Sequence, residues 1–170
     1  MTLGTLGAAH FASALAALAL GAFVLLERKG TPSHRAMGAS YVMAMILVNL
    51  TALGIYRLNG RFGPFHALAL LSLGTVAWGL RAVLQRRQGW LLTHFYCMAW
   101  SYIGLLAAAA AEIVVRVPLL AASFNSAARA MAVGVAIAVV FAVLGSLIMP
   151  RLQRRAFASI ERTGSPGAVP

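Results

Sequence analysis

The side chains able to do chemistry are few and regularly placed. They are four histidines, His10, His34, His66 and His94, two methionines, Met37 and Met98, and one carboxylate within an apolar stretch, Glu112. Imidazole is the commonest metal ligand in proteins and an axial ligand of haem iron. Two imidazoles facing each other across a helical bundle can hold one b-type haem. Two such pairs would make an electron path across a membrane. Met37 and Met98 follow His34 and His94 by about one helical turn, and imidazole with thioether suits copper(I). Haem b, copper and zinc are therefore the cofactor candidates. Glu112 lies 18 residues after His94, a whole number of turns, so a helix puts both on one face. A carboxylate inside a span is costly and points to function. Against that, Arg116 stands one turn further on and suits an ion pair with Glu112 along the helix. The histidines and methionines have plain alternatives too. Polar groups collect near helix ends because the interface tolerates them, and methionine commonly fills irregular core gaps.

Elements of a particular kind must position these groups. The chain has 170 residues, 61% of them hydrophobic and only 10% charged, with a mean hydropathy of +0.85. Soluble domains carry about 25% charged residues, so this composition excludes one. Apolar runs of about 20 residues, enough to cross a hydrocarbon core of about 30 Å, recur along the chain. The expected fold is all-α: a polytopic transmembrane bundle of five spans, at about 5–26, 35–56, 65–85, 91–115 and 128–149. Thr31 or Ser33 can cap the second helix, with Pro32 in its first turn, and Pro64 opens the third. Pro118 is expected to end the fourth helix and Pro150 the fifth. Residues 1–150 then form the membrane domain, and 151–170 a short basic cytoplasmic tail that can lie on the inner leaflet.

Charge sets the expected orientation. The net charge is +11, from 14 Lys and Arg against the three acids Glu27, Glu112 and Glu161. Arg28, Lys29, Arg35, Arg81, Arg86, Arg87, Arg151, Arg154, Arg155 and Arg162 fall on one side of the five spans; Arg57, Arg61, Arg116 and Arg129 fall on the other. The larger group belongs in the cytoplasm, which puts the N-terminus outside a bacterial inner membrane and the C-terminus inside. This basic excess suits anionic lipid headgroups and gives no reason to expect nucleic acid. The lipid bilayer is the expected partner, with a second copy of the chain or another membrane protein as further candidates. One cysteine, Cys97, excludes an internal disulfide.

The first four spans read as two copies of one hairpin, about 5–56 and 65–115, with the fifth helix an accessory. Each first helix carries a histidine near its outer end, His10 or His66, and each second helix starts with one, His34 or His94. Met37-x-x-Ser40-Tyr41 returns as Met98-x-x-Ser101-Tyr102, and the second helices close on Arg57 and Arg116, 23 and 22 residues after their histidines. A parallel repeat implies an axis along the membrane normal. It pairs His34 with His94 near the inner surface and His10 with His66 near the outer one.

The segments KGTPSHRAMGASYVMAM, from Lys29, and FGPFHALALLSLGT, from Phe62, followed by a basic turn and THFYCM, resemble bacterial membrane proteins grouped as domain of unknown function 2306. The shared pattern is KGT-x-x-HR-x-x-G-x-x-YV-x-AM with two looser histidine segments, and it covers about 10–116. After Met98 the chain departs from the glycine-rich close of many members. The resemblance implies a multi-helix membrane fold and no activity.

Mid-span hydroxyls and amides complete the inventory: Tyr41, Tyr102, Asn49, Thr51, Ser72 and Thr75. They can line a cavity, or bond between helices and to their own backbone. No Walker loop, nucleophile elbow or HExxH segment occurs. The expectation is a non-enzymatic membrane protein whose histidines bind a cofactor or order the bundle. A haem b electron-transfer protein, and a small transporter or assembly factor, stand as alternatives.

Overall fold

A computed structural model describes residues 4–55, 62–116 and 127–161 of the chain. Within them the protein is helical, without strands: α1 (Thr5–Leu26), α2 (Pro32–Leu53), α3 (Pro64–Gln85), α4 (Trp90–Arg116) and α5 (Ala127–Glu161). Each is long and apolar enough to cross a membrane. Tyr56, Arg57, Arg61, Pro118 and Arg162 lie outside the described residues. So does the side chain of Arg116, and with it the expected ion pair to Glu112.

Local chemistry sets the helix starts. Thr31 is the N-cap of α2: its hydroxyl accepts the His34 amide at 3.1 Å, and Pro32 occupies the first helical position. Pro64 opens α3 after Gly63, whose amide donates to His66 Nδ1 at 3.1 Å. The two short connections use Gly30 at φ 82° and Gly89 at φ 75°. Both have open space where a Cβ would stand, so backbone conformation alone calls for glycine there.

Helices α1 to α4 form a ring. α1 packs on α2, α2 on α3, α3 on α4, and α1 more lightly on α4; α5 stands outside against α4. Lipid tails are as apolar as leucine, so burying large side chains does not drive this association; close approach does. The buried stripe of α1 is Ser13, Ala17 and Gly21, one small residue per turn. Gly21 leaves room for the rings of Tyr102 and Tyr41. Around them Ala44, Met45, Val48, Val76 and Leu105 fill the bundle centre. Phe23, Leu71 and Leu147 are at least 60% exposed, as lipid-facing side chains are. On the outer flank, Gly145 of α5 receives Ile103 and Trp100 of α4.

One boundary is corrected. Pro150 does not end the fifth helix; α5 runs through it to Glu161. A proline inside a helix loses one backbone bond and crowds the carbonyl four residues back. Neighbouring helices in a membrane offset that loss, and here the stretch beyond Pro150 is anchored to α4. Tyr96 donates its hydroxyl to Gln153 Oε1 at 2.8 Å, and Phe157 meets Phe95 edge-on at 6.3 Å. The first part of the expected tail is therefore a packed helix.

Candidate functional site

Both short connections and the last turns of α5 lie at one end of the bundle, called here the basic end. It carries Arg28, Lys29, Arg35, Arg81, Arg86, Arg87, Arg151, Arg154 and Arg155. Lys29 closes α1 there, donating from Nζ to the carbonyls of Val24 at 2.7 Å, Leu25 at 2.9 Å and Glu27 at 3.1 Å. Burial holds its ammonium below the ordinary lysine range, against an opposite pull from Glu27. Arg81 lies 5.5 Å over the Trp78 ring and Arg86 5.6 Å over Trp90.

His34 and His94 open α2 and α4 at this end, within electrostatic reach of each other. His94 Nδ1 donates to the carbonyl of Gly79 on α3 at 3.1 Å. That bond fixes the tautomer and leaves Nε2 with the lone pair, the arrangement of a ligating histidine. Gly79 also permits the approach: a Cβ there would meet Cys97 Cβ at 2.7 Å and Met98 Cε at 2.5 Å. His34 Nδ1 is buried without a hydrogen-bond partner among the described residues. A ring nitrogen out of water with no partner is costly; with the ring proton on Nε2, Nδ1 keeps a lone pair that a metal centre would satisfy.

The other expected residues divide. His10 lies at the opposite end, its Nδ1 donating to the Val48 carbonyl at 3.1 Å and to Thr51 Oγ1 at 3.0 Å. His66, 6% exposed, uses Nδ1 to accept the Gly63 amide, so its proton sits on Nε2. Each of these two is thus engaged with backbone at a helix end. Met37 Sδ accepts from the Ser33 hydroxyl at 3.5 Å, and Met98 packs against the central core. Glu112 is exposed toward the C-terminal end of α4. Among the described residues no group of three or more His, Cys, Asp or Glu side chains comes together.

Between the two ends runs a belt of buried polar contacts. Tyr41 Oη and Ser101 Oγ meet at 2.8 Å, joining α2 to α4 across the ring, and Ser101 also donates to the Met98 carbonyl. Tyr102 donates to the Leu18 carbonyl of α1 at 3.1 Å and meets Tyr41 edge-on, 6.3 Å between ring centres. Asn49, 4% exposed, donates to the Met45 carbonyl at 2.7 Å. In this belt the polar groups bond to neighbouring helices or their own backbone. Sequence reasoning missed Gly79. Its signal was a glycine inside a helical pattern, which asks for a packing reason but names no partner.

Fold and composition define a polytopic helical membrane protein. Residues 7–152 match the model of the family described as Predicted membrane protein (DUF2306), and the chain belongs to that family. No curated protein and no solved structure matches the chain.

Proposed function

We propose that this membrane protein binds one b-type haem at its basic end through His34 and His94, and serves electron transfer there. The observation that carries the reading is the partnerless buried Nδ1 of His34, within electrostatic reach of a His94 already oriented by Gly79. Two imidazoles at one depth on helices across the ring are the donor set that haem needs, because the porphyrin supplies the other four nitrogens. Zinc sites ask for three or four protein ligands, more than the described residues bring together. Haem held between two imidazoles carries one electron by cycling its iron between ferric and ferrous states. His94 would ligate through Nε2 while Gly79 holds its ring. Arg35 and the other arginines of this end suit the two carboxylates of the porphyrin. The opposite end does not fit a second haem as well, because His66 has no ring lone pair left to give: its Nδ1 accepts the Gly63 amide and its Nε2 holds the proton.

Two further features belong to this reading. The pairs α1–α2 and α3–α4 are copies of one hairpin, supported by the matching positions of His34 and His94 and the contact between Tyr41 and Tyr102. The basic end faces the cytoplasm, on the distribution of arginine and lysine.

The test is the visible spectrum of the full chain expressed with ample haem. A sharp Soret band is expected, lost in His34→Ala and in His94→Ala but kept in His10→Ala. A colourless wild type would overturn the haem assignment. Equilibrium dialysis with copper and zinc would then show whether the pair takes a bare ion.

A further inference from the structure

We propose that the turns of α5 beyond Pro150 form a docking site for acidic phospholipid headgroups, with Arg151, Arg154 and Arg155 as the residues that grip the phosphate. This stretch has two faces. One is bound to α4 through the Tyr96–Gln153 hydrogen bond and the Phe95–Phe157 contact, with Ala156 buried at 8% exposure. The other presents three exposed guanidiniums. Arg154 and Arg155 stand three and four residues after Arg151, so both neighbour it on the helix surface, with about 5–6 Å between Cβ atoms.

Three like charges at that spacing repel one another, and none has a carboxylate partner among the described residues. A bound anion removes that repulsion. Guanidinium matches phosphate oxygens in a two-pronged fork, which a lysine ammonium does not. Depth chooses the source of the phosphate. Gln153 is level with Tyr96, in the second turn of α4, and Trp90 starts that helix with Arg86 over its ring. Tryptophan and arginine at a helix start mark the headgroup layer. The three arginines therefore sit at or just inside that layer, their stems along the apolar surface and their heads reaching outward. At that depth the abundant anion is a lipid phosphate. Because the opposite face of this stretch is clamped onto the turn that carries His94, a bound lipid would also brace the His94 end of α4.

The experiment uses the full chain in uncharged detergent micelles and follows its thermal midpoint against the mole fraction of added lipid. Phosphatidylglycerol should raise the midpoint saturably; phosphatidylcholine and inorganic phosphate should not. In the triple variant Arg151→Gln, Arg154→Gln, Arg155→Gln, the half-saturating fraction should rise roughly hundredfold, the sum of three surface attractions. The corresponding triple lysine variant should fall between it and wild type. Arg154→Gln alone should show part of the loss and decides the matter should the triple variant fail to fold. An equal response to both lipids overturns the proposal, as does a phosphatidylglycerol shift unchanged in the glutamine variants. A shift reproduced by inorganic phosphate would overturn the lipid in favour of a free anion.

Discussion

His94 is steered by Gly79: its Nδ1–H reaches across from α4 to the Gly79 carbonyl of α3 at 3.1 Å, at a point where a Cβ on residue 79 would collide with Cys97. One glycine thus sets both the distance between two helices and the direction of an imidazole. The Met98 methyl is the free end of a flexible chain and can move aside; Cys97 Cβ, fixed to its backbone, cannot.

Gly79→Ala should therefore push α3 and α4 apart and lengthen the His94 bond. Overpacking of this kind costs about 1–3 kcal/mol. Thermal unfolding measures that loss. Nitrogen-15 NMR of labelled histidine measures the bond directly, with or without cofactor: the Nδ1 proton should exchange faster in the variant. Unchanged stability together with unchanged His94 signals would break the link between these two residues.

The Tyr41–Ser101 contact predicts an asymmetry. Ser101 donates to the Met98 carbonyl at 2.8 Å, so in the Tyr41 contact its oxygen accepts and Tyr41 donates. Tyr41→Phe leaves Ser101 with its backbone bond and should cost about 0.5–1.5 kcal/mol. Ser101→Ala leaves a tyrosine hydroxyl buried without an acceptor and should cost more, about 1–3 kcal/mol. Denaturation of both variants in the same detergent gives the order. Equal losses would mean the hydroxyl is satisfied elsewhere.

Much of the architecture could be read from the chain because a membrane imposes a simple rule: about 20 apolar residues per crossing, with charge and turn formers between them. Thr31, Pro32 and Pro64 marked the starts of α2 and α3 within a few residues. Pro150 misled because its cost is local, whereas the contacts that carry α5 past it, Tyr96 with Gln153 and Phe95 with Phe157, join residues far apart in sequence. The candidate site was half legible. Residue type and depth put His34 with His94, but no pattern in sequence foretold that Gly79 would orient one imidazole or that the Val48 carbonyl and Gly63 would engage the other two histidines. Such partners are set by helix rotation, which hydrophobic periodicity constrains weakly when a helix is apolar on every side.

Lys29 should matter for stability in a pH-dependent way. Its Nζ caps three carbonyls at the end of α1, so Lys29→Met should lower stability by roughly 0.5–1 kcal/mol near neutral pH. Burial lowers its folded-state pKa below the ordinary 10.5. A lowered lysine pKa means that the unfolded chain holds the proton more tightly. Between the lowered value and 10.5 the unfolded state binds more protons, and stability rises with pH there. The gap between wild type and Lys29→Met should therefore widen as the pH climbs toward 10.5. Unfolding midpoints of the two proteins across the alkaline range check this, and a gap that narrows would reverse the sign.

The orientation gives the last prediction. Nine of the 14 basic residues, from Arg28 to Arg155, lie at the end of the bundle that holds both short connections, and the described helices run so that α5 finishes there. Arginine and lysine are retained on the cytoplasmic side during insertion, and the charges here flank spans joined by short turns, where the rule is strongest. A C-terminal fluorescent protein that matures only in the cytoplasm should therefore be bright, and a C-terminal phosphatase that works only outside should be silent. The same pair of reporters placed after Leu26, in the first basic turn, should give the same answer, because α1 and α5 end on the same side. Replacing Arg28, Lys29 and Arg35 together by glutamine should weaken the bias, since these three sit nearest the first two spans. An active phosphatase at the C-terminus of the unaltered chain would turn the bundle over and place the His34–His94 pair on the outer face.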